Sequence, residues 1–220
     1  AGSREERSLL LRSSDRPLFN RAVSGVYSPG STIKPLHALA ALAEGVIDPN
    51  HSVYSPGYLD VPNPYHPDKP SRFLDWRPQG YVNMYSAIAQ SSNVYFYYVG
   101  GGAGEVKGLG IKRLLSWWKK FLLDEPTGID LPHEESGFLP TPEWKEEQNG
   151  LNWYPGDTYN ISIGQGYFKA TPLQLTMATS SIANRGKLME PQIVKSVLDN
   201  NNQTIKTFEP KTLSENFVSL

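Results

Sequence analysis

The sequence contains no cysteine, which excludes disulfide scaffolds, thiolate zinc sites and thiol catalysis. It lacks a charge excess: Lys plus Arg number 21 and Asp plus Glu 22, for a net charge of −1. Nucleic-acid binders show a basic excess or a basic stripe, so no nucleic-acid partner is expected. Apolar runs stay short of the ~18 residues that a membrane span needs. The opening Ala1-Gly2-Ser3-Arg4-Glu5-Glu6 is polar rather than a signal peptide, so a membrane anchor is expected to lie outside this chain. Histidine is scarce. His37, His51, His66 and His133 have no i, i+4 partner and no H-E-x-x-H surrounds them, so neither a metal site nor a cofactor is expected.

Glycine (19) and proline (18) are plentiful in the 220 residues, above the usual combined share of roughly 12%. Ordered turns and long connections should follow. The length suits one domain, or at most two small ones, and 39% hydrophobic residues allow a buried core.

Residues 1–30 read as a short polar helix followed by loop. A helix is expected from Ser31 as N-cap, with Pro35 in its first turn, a stripe of Ile33, Leu36, Leu39 or Ala40, and Ala43, and Gly45 as C-cap. Residues 48–80 read as a long irregular stretch, and its part at 54–81 as a wall of a site. A short helix is expected at 82–90. The aromatic run at 93–99 has the composition of a core strand and a length that also suits a buried helix. Residues 111–123 predict an amphipathic helix with Ile111, Leu114, Leu115, Trp118 and Leu122 inward and a solvated basic face. Residues 124–160 read as turn-rich. A helix at 171–185 starts from Thr171-Pro172 with Leu173, Leu175, Met177, Ala178 and Ile182 inward. Residues 191–198 and 203–208 predict two strands joined at Asp199–Asn202.

Several patterns carry no chemistry. Glu134-Glu135 and Glu146-Glu147 are adjacent pairs that point different ways and read as solvated surface. Gly100-Gly101-Gly102 and Gly164-Gln165-Gly166 lack the spacing and lysine of a phosphate loop. Ser31-Thr32-Ile33-Lys34 is different. Residues three apart on a helix share a face, so the Lys amine can reach the Ser hydroxyl. A neutral lysine can act as base for the serine, and the helix N-terminus favours a developing oxyanion. The spacing alone is weak evidence: Ser116-Trp117-Trp118-Lys119 has it too, inside a helix with no loop to expose the serine.

The flanks decide between them. Pro29-Gly30-Ser31-Thr32-Ile33-Lys34-Pro35 resembles the P-G-S-T-[FVI]-K-P signature of class B penicillin-binding proteins. Ser91-Ser92-Asn93 matches their second motif, S-x-N; Ser214-Glu215-Asn216 is a decoy near the C-terminus. The likeness to elongation-type members continues in order through Arg16–Ala22, Asp75-Trp76, Ala87–Tyr97, Thr127–Pro132, Leu139–Trp144, Ile163–Gly166 and Thr171–Leu175. It spans roughly residues 10–195, and ordered co-occurrence of this many segments is far more specific than either short motif. The third motif, K-[ST]-G, does not occur: Lys195-Ser196-Val197, Lys206-Thr207-Phe208 and Lys211-Thr212-Leu213 all fail at the third position. Some relatives carry a zinc site near S-x-N with Asp, His and Cys ligands. Without cysteine, and with Gly80-Tyr81 where relatives often have Gly-His, that site is not carried over.

The resemblance implies an α/β (α+β) serine transpeptidase, β-lactamase-like fold. Residues 1–220 are expected to be a partial domain ending before the third motif. They should form mainly its helical and loop-rich part, with few strands and with apolar surface exposed where the family's central sheet belongs. The implied activity is peptidoglycan D,D-transpeptidation in cell-wall elongation. Ser31 is then the nucleophile, Lys34 its base, and Ser91 a proton relay. Asn93 binds substrate or the lysine, the Ser31 backbone N–H supplies half of the oxyanion hole, and Gln165 is a candidate substrate-binding residue that mainly holds a turn near the site. Implied partners are stem peptides ending in D-Ala-D-Ala, β-lactams and a wall-elongation glycosyltransferase. The implied location is the outer face of a bacterial cell membrane. Two alternatives stay open: a D,D-carboxypeptidase or β-lactamase-like hydrolase, and a catalytically incompetent scaffold fragment.

Overall fold

Side-chain caps start most of the helices, and the sequence places them. The structure is a computed structural model that describes residues 3–63, 66 and 68–215; Asn216 of the second S-x-N lies outside the described residues. Helix α1 (Arg4–Arg12) opens on a reciprocal Ser3–Glu6 capping box. A 3-10 turn (Gly30–Ile33) runs into α2 (Lys34–Ala43). Strands β1 (Val53–Ser55), β2 (Tyr58–Val61), β3 (Ser71–Leu74) and β4 (Gly80–Val82) follow. Next come α3 (Met84–Ala89), α4 (Asn93–Gly101), α5 (Gly110–Lys120), α6 (Pro142–Asn149), α7 (Pro155–Ser162) and α8 (Pro172–Ala183). Strands β5 (Leu188–Met189), β6 (Ser196–Leu198), β7 (Thr204–Thr207) and β8 (Thr212–Ser214) complete the order.

The described strands pair only in twos, all antiparallel: β1 with β4, β2 with β3, β5 with β8 and β6 with β7. Two-stranded ribbons cannot carry a core alone, so the core is helical, as a helix- and loop-rich layout requires. Its centre is α4, where Val94, Tyr95, Phe96, Tyr97, Val99 and Gly100 are all buried. Two of the three consecutive glycines, Gly100 and Gly101, allow this packing. A Cβ on Gly100 would stand 1.7 Å from Ser162 Oγ, and one on Gly101 would stand 2.3 Å from the Tyr159 ring, so only glycine lets α7 lie against α4. Apolar side chains stay exposed at the N-terminal end, including Leu9, Leu11, Leu18 and Phe19.

The structure corrects several local expectations. Residues 93–99 form a helix, not a strand: Ser92 accepts from the Tyr95 N–H as N-cap, and burial on every face removes the periodicity that would have revealed it. Ser31 is not an N-cap; it sits inside the 3-10 turn, with its carbonyl accepting from the Lys34 N–H. The 48–80 stretch holds three short strands and the start of a fourth, and 124–160 holds α6 and most of α7, each with proline in its first turn. Glu134 is a loop staple: its carboxylate accepts from the N–H groups of Thr127 and Gly128. In α8, Gln174 points inward and donates to Glu125 O, while Ile182 faces outward. Ala43 is likewise exposed at the end of α2.

Candidate active site

Three segments converge on the first turn of α2. The turn at Gly30–Ile33 is closed by Thr32 Oγ1, which donates to Pro29 O at 2.7 Å. The segment around residues 164–170 frames it. Gly30 N–H donates to Gly164 O at 2.8 Å, Tyr27 and Ala170 exchange two backbone hydrogen bonds, and Lys169 Nζ donates to Ser28 Oγ at 2.7 Å. Gly164 must be glycine: its φ is +73°, and a Cβ would stand 2.1 Å from Gly30 O. Ser31 is left exposed at the tip of this framed turn.

Lys34, one turn further, is only 2% exposed. Its Nζ donates to Ser91 O at 2.9 Å, Ser91 Oγ at 3.1 Å and Asn93 Oδ1 at 2.7 Å. It also lies 5.6 Å from the centre of the Phe96 ring. Asn93 is oriented by its other end, where Nδ2 donates to Leu74 O at 3.3 Å. Ser91 is held in the left-handed region at φ 54°, a strained conformation for a residue with a side chain. The strain turns both its carbonyl and its hydroxyl toward Lys34.

The three acceptors match the three N–H groups of an ammonium. Two of them, Ser91 O and Asn93 Oδ1, can only accept. A neutral amine therefore keeps those two bonds and presents its lone pair to a hydroxyl, the state a general base needs. Burial pushes the Lys34 pKa down to about 8, with the negative charge of Asp75 opposing that shift. At pH 7 roughly a tenth of such a lysine is neutral, against less than about one in a thousand for an ordinary one.

His37, one turn further along α2, is buried and locks the helix. Trp118 Nε1 donates to His37 Nε2 at 2.9 Å, and His37 Nδ1 lies 3.0 Å from Ser162 O. An indole N–H only donates, so Nε2 accepts and Nδ1 carries the proton to Ser162 O. Burial holds the His37 pKa down at about 4, so the ring is neutral. Trp118 in turn stacks on Phe168 at 4.3 Å, which ties α2, α5 and the frame around Ser31 together.

The structure thus brings Lys34, Ser91 and Asn93 into one hydrogen-bonded cluster, with Ser31 on the adjoining turn. Among the described residues no hydrogen bond joins Ser31 Oγ to Lys34; the amine faces S-x-N instead. Gln165 is exposed on the turn whose Gly164 braces Gly30. Of the stretch read as a site wall, Leu74 to Trp76 adjoins S-x-N. Sequence reasoning missed His37, Gly164 and Asp75 as contributors to this geometry. Asp75-Trp76 and Ile163–Gly166 had left a signal as parts of the resemblance; His37 had left none. Among the described residues no cluster of His, Cys, Asp and Glu could hold a metal ion, and no helix is long and apolar enough to cross a membrane.

The penicillin binding protein transpeptidase domain matches residues 2–219. The chain is similar to a protein from Acinetobacter baumannii named peptidoglycan D,D-transpeptidase MrdA, at 42% identity over 83% of this chain and 26% of that relative. It is similar to the protein of the same name from Haemophilus influenzae, at 41% identity over 89% of this chain and 29% of the relative. The chain therefore spans less than a third of the length of these curated relatives. Among solved structures, Pseudomonas aeruginosa PBP2 in complex with WCK 5153 aligns with a TM-score of 0.76 at 34% identity, over 94% of this chain and 46% of that one. A peptidoglycan synthase complex described as coordinating polymerization and crosslinking aligns with a TM-score of 0.75 at 29% identity, over 99% of this chain and 35% of that one.

Proposed function

Because the chain belongs to the penicillin binding protein transpeptidase family, we propose that it carries the acylation machinery of a serine-type peptidoglycan D,D-transpeptidase of cell-wall elongation. The fold is the serine transpeptidase, β-lactamase-like fold of that family, and residues 1–220 are read as part of such a domain. One observation carries the reading: a buried lysine, one turn after an exposed serine, hydrogen-bonded to Ser91 and Asn93 of S-x-N.

Ser31 Oγ attacks the carbonyl carbon of the penultimate D-Ala of a stem peptide, and its proton passes to neutral Lys34. The Ser31 N–H, at the start of the turn that leads into α2, favours charge on the carbonyl oxygen. The tetrahedral adduct collapses as the D-Ala–D-Ala C–N bond breaks. Lys34 returns the proton through Ser91 Oγ to the departing amine, and terminal D-Ala leaves. Asn93 holds Lys34 and offers its amide to the substrate backbone. An amine of a neighbouring stem then attacks the ester, its proton returns to Ser31 by way of Lys34, and the cross-link forms. β-Lactams acylate the same hydroxyl because they place a strained amide at the same point. Gln165, exposed on the turn whose Gly164 braces Gly30, is a candidate substrate contact. The substrate lies outside the bacterial cytoplasm, so the domain works on the outer side of the membrane. The similar synthase complex, described as coordinating polymerization and crosslinking, supports a glycosyltransferase partner.

Labelling with a fluorescent penicillin tests the reading. A long-lived adduct on Ser31, absent in Ser31→Ala, is the expected result. Rapid turnover of the adduct would make the protein a hydrolase. No adduct on the natural-length protein would remove Ser31 as nucleophile. An adduct on that protein but not on the 220-residue chain would make this chain incompetent by itself.

A further inference from the structure

Ser91 is a strained residue flanked by Gln90 on one side and Ser92 to Val94 on the other, all gripped by one short segment, Leu74-Asp75-Trp76. Before Ser91, Trp76 Nε1 donates to Gln90 O at 3.2 Å. After it, Ser92 Oγ and the Val94 N–H both donate to Asp75 Oδ2 at 3.0 Å, and Asn93 Nδ2 donates to Leu74 O. Ser91 alone in the run from 90 to 94 is left to Lys34. Asp75 is itself fixed from two further directions. Its Oδ1 accepts from the Trp76 N–H at 2.9 Å, and its Oδ2 accepts at 3.4 Å from Ser55 Oγ at the end of β1. One carboxylate therefore joins β1, the turn after β3 and the start of α4.

We propose that Asp75 is a positioning residue for the acylation site: its carboxylate holds Ser91 in the left-handed turn that presents its carbonyl and hydroxyl to Lys34. The inference rests on the assignment of Ser31 and Lys34 made above. A left-handed serine persists only where the surroundings over-determine it, and a carboxylate accepting from two donors of the α4 N-terminus, with the helix dipole behind it, supplies that restraint. Asp75 has a second, electrostatic effect on the same lysine. The titratable groups that face Lys34 are Asp75 and His37. His37 is neutral, so Asp75 is the charge that keeps the buried amine from losing its proton more readily still. Position and charge thus come from one side chain.

Two substitutions separate these effects in the natural-length protein. Asp75→Asn removes the charge and puts an N–H₂ group against donors. Asp75→Glu keeps the charge and displaces the carboxylate. Two measurements are made from about pH 6 to about pH 10, spanning the ordinary range of a shifted lysine: the ¹³Cε NMR titration of Lys34, and the rate of labelling of Ser31 by a fluorescent penicillin. Asp75→Asn should lower the Lys34 midpoint below its starting value of about 8 and slow labelling at least ~10-fold. Asp75→Glu should leave the midpoint in place and still slow labelling. Wild-type midpoint and wild-type rate in Asp75→Asn would overturn the proposal. If Asp75→Asn does not fold, Asp75→Glu decides: a wild-type labelling rate there overturns it. If the unsubstituted protein is never labelled but Asp75→Asn still moves the Lys34 midpoint, the Ser31 assignment and the positioning role in acylation fail, and only the electrostatic coupling of Asp75 to Lys34 stands. An unlabelled protein with an unmoved midpoint overturns both.

Discussion

Ser31–Lys34 and Ser116–Lys119 share the same four-residue spacing and have opposite surroundings. In the first, the serine stands exposed on a turn braced by Gly164, and the lysine is 2% exposed with three protein acceptors. In the second, both residues lie on the outer face of α5, exposed, while Trp117 and Trp118 fill the inner face. Water solvates an exposed ammonium and leaves its proton affinity high. Burial takes that solvation away and makes the amine a base near neutral pH. Spacing only brings the two groups within reach; the difference in solvation is what separates the proposed catalytic pair from a helix surface.

Six substitutions and one titration test that contrast and the packing behind it. The largest effect is expected at the serines. Ser31→Ala abolishes labelling by a fluorescent penicillin, whereas Ser116→Ala is labelled at the wild-type rate; labelling of Ser31→Ala would erase the distinction. Next come the lysines. Lys34→Ala slows acylation by ~10²–10⁴-fold, the range of a lost general base, while Lys119→Ala stays within about twofold of wild type, where surface substitutions fall. Stopped-flow acylation rates for the pair measure the asymmetry directly.

The pH dependence is smaller. Because the Lys34 pKa is lowered to about 8, acylation should rise by about tenfold from pH 7 to pH 9 as the amine loses its proton, and then level. A profile still climbing steeply above pH 9 would place the Lys34 amine in water. Gly164→Ala comes next. The added Cβ meets Gly30 O at 2.1 Å and the left-handed backbone strains, so the brace behind Ser31 shifts. Acylation should slow severalfold with ~1–3 kcal/mol of lost stability, read from a denaturant melt.

The smallest effect on labelling is expected through His37, whose role is to seat α2. Its pKa is held down at about 4 from 6.5. The unfolded chain therefore binds the extra proton first, and stability falls as pH drops from about 6.5 toward 4, by up to roughly 3 kcal/mol. Lys34 acts with the same sign in a higher window: stability falls as pH drops from 10.5 toward about 8 and stays low below it. In His37→Phe the acid-side loss should vanish, because no imidazole remains to protonate. That variant also leaves Trp118 Nε1 and Ser162 O unpaired, at a cost of ~1–3 kcal/mol. Thermal melts across pH measure both.

Local chemistry was legible wherever it is written into neighbours. Thr171 caps α8 with Gln174 completing the box, Gly45 ends α2 at φ +60°, and β6 and β7 meet around Asp199–Asn202. It was illegible where burial is complete. Residues 93–99 carry no polar face to set a period, so a helix reads as a strand. Helices α6 and α7 hide in turn-rich composition because each is eight residues long and starts from proline. Gln174 and Ile182 exchange their expected faces because Glu125 O offers the buried amide a partner, and periodicity cannot see a partner 49 residues away.

By itself the sequence determined which groups the site contains: the Pro-Gly-Ser-Thr-Ile-Lys-Pro turn, the Ser-Ser-Asn run and the order of the segments between them. Only the tertiary structure decided what those groups are chemically. Lys34 is held in place by Ser91 and Asn93, 57 and 59 residues further on, and owes its lowered pKa to burial. Ser91 owes its orientation to a strained turn held by Asp75. Solvation and strain belong to the assembled surroundings, so no short stretch of sequence encodes them.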